Sequence, residues 1–529
     1  MPSSPTTPDA LPPLAARIEL FRHCLVAIAE QMGETLARTA FSPNIKERRD
    51  HSCALFDAGG RLLAQAAHIP VHLGSMPDSV AAALQSGPLA PGDVIILNDP
   101  FRGGTHLPDL TLVTPVFDRE RLIGLAANRA HHADVGGRTA ASMGVSRHID
   151  DEGIRLPPVK WFAAGQEQPE LHARFLSRLE TARERLGDLR AQLAANVVGA
   201  RGLVSLVARH GAGFQPLCGE LLAYGERLMR LAIAEIPRGD YAAADTLDGD
   251  GVSDRPIRIQ LRLHVADGQV VADFAGTDPQ VDGCVNCPLS VTRSAVAYVF
   301  ACLAGPRLPH NAGMFAPLRV IAPPGCVVNA REPAAVAAGN VETSQRVVDV
   351  VLRALATALP QRVPAGSAGT MASVSLAGRD RRGRPFAYYE TIGGGSGATP
   401  SMRGADAVHT HMTNTLNTPV EALESAYPLR VRRYTIRAGS GGGGAHPGGA
   451  GIVRELEALV DLDGALLADR TSRGGAGLRG GGDGQPFVAT LKPAGGTPRM
   501  LPGKTNFRLA RGDILTIETP GGGGVGFCG

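Results

Sequence analysis

The apolar positions change rhythm along the chain, and each rhythm predicts a different element. Over residues 14–40, Ile18, Phe21, Leu25, Ile28, Met32 and Leu36 recur at steps of three and four, the spacing that lines one face of an α-helix. From residue 52 to about 128 that spacing gives way to short β-type runs at 53–56, 94–97, 110–117 and 122–127, punctuated by Gly, Pro and Asp. Helical spacing returns over about 170–236, where Leu, Ala, Arg and Glu dominate. Gly202, Gly211 and Gly213 mark breaks, so two or three helices are expected there, set out as a partner-facing arm. Residues 257–277 read as two strands joined by a turn at Ala266-Asp267-Gly268, and 341–359 read as a further helix.

Beyond Thr391 the texture is dominated by glycine, in runs at 393–397, 439–451, 474–484 and 521–526. Glycine is needed where a backbone takes positive φ or approaches another group closely, so the runs are expected to be loops lining a common surface, with strands at 487–491 and 514–518 between them. The whole reads as an α+β chain of several mixed regions. These are a disordered tail (1–13), an N-terminal α/β region (14–160), a helical arm (161–240), a mixed α/β region (241–390) and a Gly-rich β region (391–529).

Composition narrows the class. At 529 residues, 44% apolar and 19% charged, the chain can bury about two to four packed regions. Lys and Arg (53) nearly balance Asp and Glu (50), and no basic block appears, so nucleic acid is not an expected partner. The Pro-, Ser- and Thr-rich start lacks the basic and apolar segments of a secretory signal, and no run reaches the ~18 apolar residues of a spanning helix. A cytoplasmic protein with no membrane partner is expected. Cys284-Val285-Asn286-Cys287 is the one close cysteine pair, and without a second pair it reads as two reduced thiols rather than a zinc site.

Chemistry concentrates between Asn98 and Asp134. The turn Asp118-Arg119-Glu120-Arg121 centres a hairpin between two β patterns, so residues facing each other across the ladder have numbers summing to about 239. Asp109 and His131 sum to 240, within one residue of register, and opposed residues have Cβ atoms about 4.5–5.5 Å apart. His106 precedes Asp109 by three residues in Gly103-Gly104-Thr105-His106-Leu107-Pro108-Asp109, where glycine and proline let the chain fold back to the same point. Imidazole nitrogen with carboxylate oxygen suits Zn, Mn or Fe as divalent ions. His131 and His132 are adjacent on a strand, so only one faces that point, and the ladder favours His131. The plainer alternative is that these side chains bond loop backbone and one another without an ion.

Other candidates are weaker. Asp50, in Lys46-Glu47-Arg48-Arg49-Asp50-His51, reads by pattern as part of a solvated charge run. His68 and His72 are four apart, but Pro70 argues against a helix that would align them, so they are expected either to support the ligands from behind or to be structural. Leu501-Pro502-Gly503-Lys504-Thr505 ends like a phosphate-binding loop, yet position 498 is Pro rather than Gly and the lysine opens no helix. No G-x-S-x-G elbow is present.

At these residues the chain resembles the hydantoinase B/5-oxoprolinase B-subunit family, with its caprolactamase and acetone carboxylase relatives. The likeness spans residues 17–526 through Glu47-Arg48-Arg49-Asp50, Ala67-His68-Ile69-Pro70-Val71-His72, the Asn98–Asp109 loop and His131-His132-Ala133-Asp134-Val135-Gly136-Gly137. It continues in Gly339-Asn340-Val341-Glu342-Thr343, Glu390-Thr391-Ile392-Gly393, Thr413-Asn414-Thr415 and Thr519-Pro520-Gly521-Gly522. The resemblance implies a hetero-oligomer with an A-type subunit that binds ATP with Mg, a small cyclic amide substrate, and metal ligands at Asp50, His106, Asp109 and His131. It further implies that the partner phosphorylates the ring carbonyl and that water at the metal attacks it, with His132 or Asp134 relaying protons. An acetone-carboxylase-like role and a non-catalytic scaffold role are the alternatives. Thr471-Ser472-Arg473-Gly474-Gly475 departs from the family by its poverty in large apolar residues.

Overall fold

The computed structural model describes residues 13–66 and 69–527; the expected tail, but for Pro13, and His68 therefore lie outside the described residues. Helix α1 (Leu14–Thr39) buries the predicted stripe, with Phe21, Leu25, Met32 and Leu36 at most 1% exposed. There follow β1 (His51–Asp57), β2 (Leu62–Gln65), α2 (Met76–Gln85), β3 (Val94–Leu97), β4 (Asp109–Asp118), β5 (Arg121–His131), β6 (Val159–Ala163) and β7 (Gln166–Glu167). They form one antiparallel sheet in the order β2-β1-β5-β4-β3-β6-β7. Three helices come next, α3 (Pro169–Leu176), α4 (Ala182–His210) and α5 (Phe214–Ala234).

The pleat sorts β5 by parity. Leu125 and Ala127 pack with Met76 and Val80 of α2, whereas Ala126 and Ala130 pack with α1 and α4. Residues 161–240 are accordingly no free-standing arm, because α4 lies across the sheet and buries Leu189, Gln192, Asn196 and Leu203 against it. Gly202, expected as a break, is a crossing point. A Cβ there would sit 2.6 Å from Ile28, and one on Gly199 would sit 2.5 Å from the Met32 sulfur, so only glycine lets α1 and α4 approach this closely. The chain breaks instead at Gly211–Gly213, as the spacing predicts. The stretch Ala182–Ala234 is long and apolar enough to cross a membrane, but 44% of its apolar window is buried within the fold.

The middle of the chain forms a second sheet from β8 (Gly239–Leu247), β9 (Ile257–Ala266), β10 (Gln269–Asp273) and, after helix α6 (Leu289–Ala304), β11 (Leu318–Ile321). Its core is shared with α5, α6 and α7 (Ser344–Leu355), and a π-helical turn, Gly339–Thr343, leads into α7. Buried Cys284 and Cys287 are free thiols in this core, pushed up to about 12 by burial. Strand β12 (Ser373–Arg379) pairs with β13 (Pro385–Glu390) on one side and with Leu462–Leu467 on the other, which pairs in turn with Lys504–Leu509, joining the Gly-rich region by hydrogen bonding. A five-stranded sheet completes that region, and it includes the expected strands at Val488–Lys492 and Ile514–Glu518.

The glycine runs pack on one another. Gly522 N donates to Gly449 O, Gly523 N to Gly366 O and Gly524 N to Gly482 O, so the 521–526 segment runs through the middle of the other glycine-rich segments. A Cβ on Gly448 would fall 1.9 Å from Gly522 O, which excludes every other residue type without backbone movement. Gly448→Ala is expected to lower stability by about 1–3 kcal/mol through overpacking. Gly219→Ala, on a face of α5 with nothing within 4 Å of the added methyl, should raise it by about 0.5–1 kcal/mol. Urea midpoints of the two variants, moving in opposite directions from the parent, check this.

Candidate metal centre

The β4–β5 hairpin sets two of the donors. Asp109 and His131 are directly paired, and the sum of 240 holds as far as Val116 and Gly124; a bulge between Val116 and Phe117 then shifts the remaining pairs to 239. The bulge accounts for the one-residue offset between the turn centre and the site. The loop before β4 supplies the third donor. It folds back because Gly103 takes φ 96° and a Cβ on Gly104 would lie 2.4 Å from Asn98 O, while the Asn98 amide donates to Leu107 O and Ile154 O.

His106, Asp109 and His131 converge, their donor atoms all within 4.8 Å of one another. Asp109 Oδ1 lies 3.1 Å from His106 Nε2 and 3.3 Å from His131 Nδ1. Two donors bound at about 2.0–2.2 Å to one ion lie roughly 3–3.5 Å apart at tetrahedral or octahedral angles, so the set fits a divalent ion. The tautomers agree. His106 Nδ1 faces Ala337 O at 3.3 Å, and a carbonyl only accepts, so Nδ1 carries a proton and the Nε2 position is left to face the carboxylate. A bare Nε2 against a carboxylate oxygen is repulsive unless a cation lies between them. That cation is a proton or a metal ion. Burial opposes charge on His106, but Asp109 overrides it and the imidazole pKa is raised, while the histidines hold Asp109 well below the usual carboxylate range.

His131 is stacked on Tyr389 of β13, with centroids 4.3 Å apart and planes 16° from parallel, and burial lowers its pKa. From the π-turn, Asn340 Nδ2 reaches His106 Nε2 at 3.1 Å, and its Oδ1 is buried without a partner. Asn340 and Tyr389 escape the sequence reading because each lies more than 200 residues from the hairpin. Asn340 does sit in the Gly339–Thr343 motif, but a π-helical turn has no sequence signature of its own.

The remaining candidates lie outside the three-residue cluster, two of them against it. Asp50 is adjacent: its carbonyl accepts from His131 N, its charge acts on His131, and its carboxylate turns to Arg48 at 3.7 Å. His132 faces α4 on the other side of the sheet, 2.9 Å from Gln192 Oε1, with a pKa lowered to about 4 by burial and then by Arg185. Asp134 accepts from Gly136 N, Thr181 N and Thr181 Oγ1, which ties down the turn before α4 at the edge of an open cleft of about 620 Å³. His72 touches Asp109, with its Nε2 3.3 Å from Oδ2.

The family model for hydantoinase B/oxoprolinase matches residues 15–527. The chain belongs to that family. It is 39% identical to 5-oxoprolinase 1 of Arabidopsis thaliana over 96% of its own length, yet spans only 42% of that relative. A candidate B-type subunit of a D-/L-hydantoinase from Pseudomonas sp. is 32% identical, with 94% of this chain and 88% of that protein covered. Among solved structures, the ATP-dependent caprolactamase of Pseudomonas jessenii superposes with a TM-score of 0.89 at 28% identity, covering 97% of this chain and 91% of that one. Acetone carboxylase shares the fold, with a TM-score of 0.90 at 18% identity over 97% of this chain and 76% of that one.

The π-turn also buries Glu342. Burial, then the charge of Asp469, push its carboxyl up to about 8 from 4.5. Its folded pKa exceeds its unfolded one, so between those values the native state binds more protons and stability falls as pH rises. Glu342→Gln removes this contribution. Denaturant midpoints of the parent are expected to drop between about pH 5 and pH 8, and those of the variant to drop less.

Proposed function

We propose that this chain is the metal-bearing B-type component of an ATP-dependent cyclic-amide hydrolase, working with an A-type subunit that uses ATP and Mg in the cytoplasm. The observation that carries the reading is the tautomer-fixed His106 Nε2 facing Asp109 Oδ1 beside His131, a donor set completed by a cation. Support comes from the ATP-dependent caprolactamase and the B-type hydantoinase chain, which this protein resembles over nearly its whole length.

Zn, Mn or Fe, when bound, lowers the pKa of water and polarises a carbonyl or phosphoryl oxygen. The chain's residues do the rest. His106, Asp109 and His131 would hold the ion, with Asp50 as the proposed fourth ligand. Asn340, whose buried Oδ1 has no partner and whose Nδ2 lies against His106, would orient the attacked ring or the attacking water. Burial of all three donors, at 0–3% exposure, keeps bulk water from an activated substrate. No step is assigned to His132 or Asp134, since the first lies behind the sheet and the second is committed to Thr181.

The test is co-expression with the A-type subunit and an assay of 5-oxoproline, hydantoin and lactam opening with ATP. Turnover of at least one ring is expected, and His106→Ala or Asp109→Ala should reduce it by about 10³-fold, near 4 kcal/mol of transition-state stabilisation. Full activity in both variants would favour the scaffold role. Consumption of bicarbonate with a ketone, and of no ring, would favour a carboxylase.

A further inference from the structure

Asp109 is gripped from behind by a second imidazole, and we infer that His72 is a positioning residue that aims the Asp109 carboxylate at the ion. This rests on the metal reading above and assigns a role to a residue outside the donor set. The hydrogen bonds fix the protons. Ile69 N donates to Ser52 Oγ at 3.2 Å, and Ser52 Oγ lies 2.8 Å from His72 Nδ1. With its acceptor side engaged by Ile69, the hydroxyl is free to give its own proton to Nδ1, which leaves the ring proton of neutral His72 on Nε2. The other tautomer would set a bare Nε2 against a carboxylate oxygen, and a charged ring carries a proton on Nε2 anyway. In every favourable state, then, Nε2–H donates to Asp109 Oδ2, 3.3 Å away.

Oδ2 has two further donors. Thr105 Oγ1 lies 2.6 Å from it and Asn340 Nδ2 lies 3.4 Å from it. Among the described residues, Oδ1 faces the two histidine nitrogens of the donor set. The carboxylate is thereby divided, one oxygen held by protein hydrogen bonds and the other presented to the ion as a single-oxygen ligand. His72 itself cannot be a ligand in this arrangement, since both ring nitrogens are committed. His72 ends the short turn Pro70–His72, which opens on Pro70. Partners of this kind typically change metal affinity by about 10–100-fold when removed.

The test uses the full chain, stripped with chelator and titrated with Co²⁺ against a competing chelator, in parent, His72→Leu, His72→Gln and Ser52→Ala forms. Glutamine places an N–H donor near the position of His72 Nε2, and leucine places none. His72→Leu is expected to weaken Co²⁺ binding by about 10–100-fold and to alter the visible Co²⁺ spectrum. His72→Gln should recover most of the affinity and the parent spectrum, and Ser52→Ala should weaken binding in the same direction as leucine. Equal affinity and spectrum in parent and His72→Leu would overturn the proposal. So would equal weakening by leucine and glutamine at matched thermal midpoints, which would mean that the ring only fills space. Should His72→Leu fail to fold, an unchanged Co²⁺ affinity in Ser52→Ala would overturn it. A parent chain that takes up no Co²⁺ would refute the metal reading itself, and that result appears before any variant is compared.

Discussion

Successive side chains of a strand point to opposite faces, and at the end of β5 this rule separates two chemistries that cannot be exchanged. One face carries Arg129 and His131, the first held by the hydroxyls of Thr111, Ser75 and Ser79, the second beside Asp109. The opposite face carries Asn128 and His132, which engage Gln192 and Asn196 of α4. A slip of one residue would drive an arginine into the amide layer and leave both polar sets unpaired, so register is strongly held. The bulge at Val116 and Phe117 absorbs the mismatch between turn and site without disturbing it.

Around this fixed edge the rest of the chain is wrapped. The π-turn brings Asn340, β13 brings Tyr389, and Arg48 ties the wall together by donating to Tyr389 O and Thr391 Oγ1. The centre therefore draws on the N-terminal sheet, the middle region and the start of the C-terminal sheets. The N-terminal sheet supplies the three donors, and the other two regions supply the side chains packed against them.

Local patterns were legible in the sequence where a single element decides the outcome. The stripe on α1, the hairpin with its Asp109–His131 pair and the choice of His131 over His132 all follow from periodicity. What was not legible depends on a second element. Gly202 as a break and Gly202 as a helix crossing look identical until α1 is laid beside it. The glycine runs read as surface loops because nothing local reveals that they bond to one another. Asn340 and Tyr389 approach the hairpin only through tertiary packing, and the grip of His72 on Asp109 depends on a turn that its proline hides from helical periodicity.

X-ray absorption on the chain loaded with one equivalent of Mn or Zn tests the central claim most directly. The account predicts one ion with two imidazole nitrogens and at least one carboxylate oxygen at about 2.0–2.2 Å, and loss of the imidazole scattering in His106→Ala/His131→Ala. An ion lacking imidazole scattering, or a spectrum unchanged by the double substitution, would contradict it.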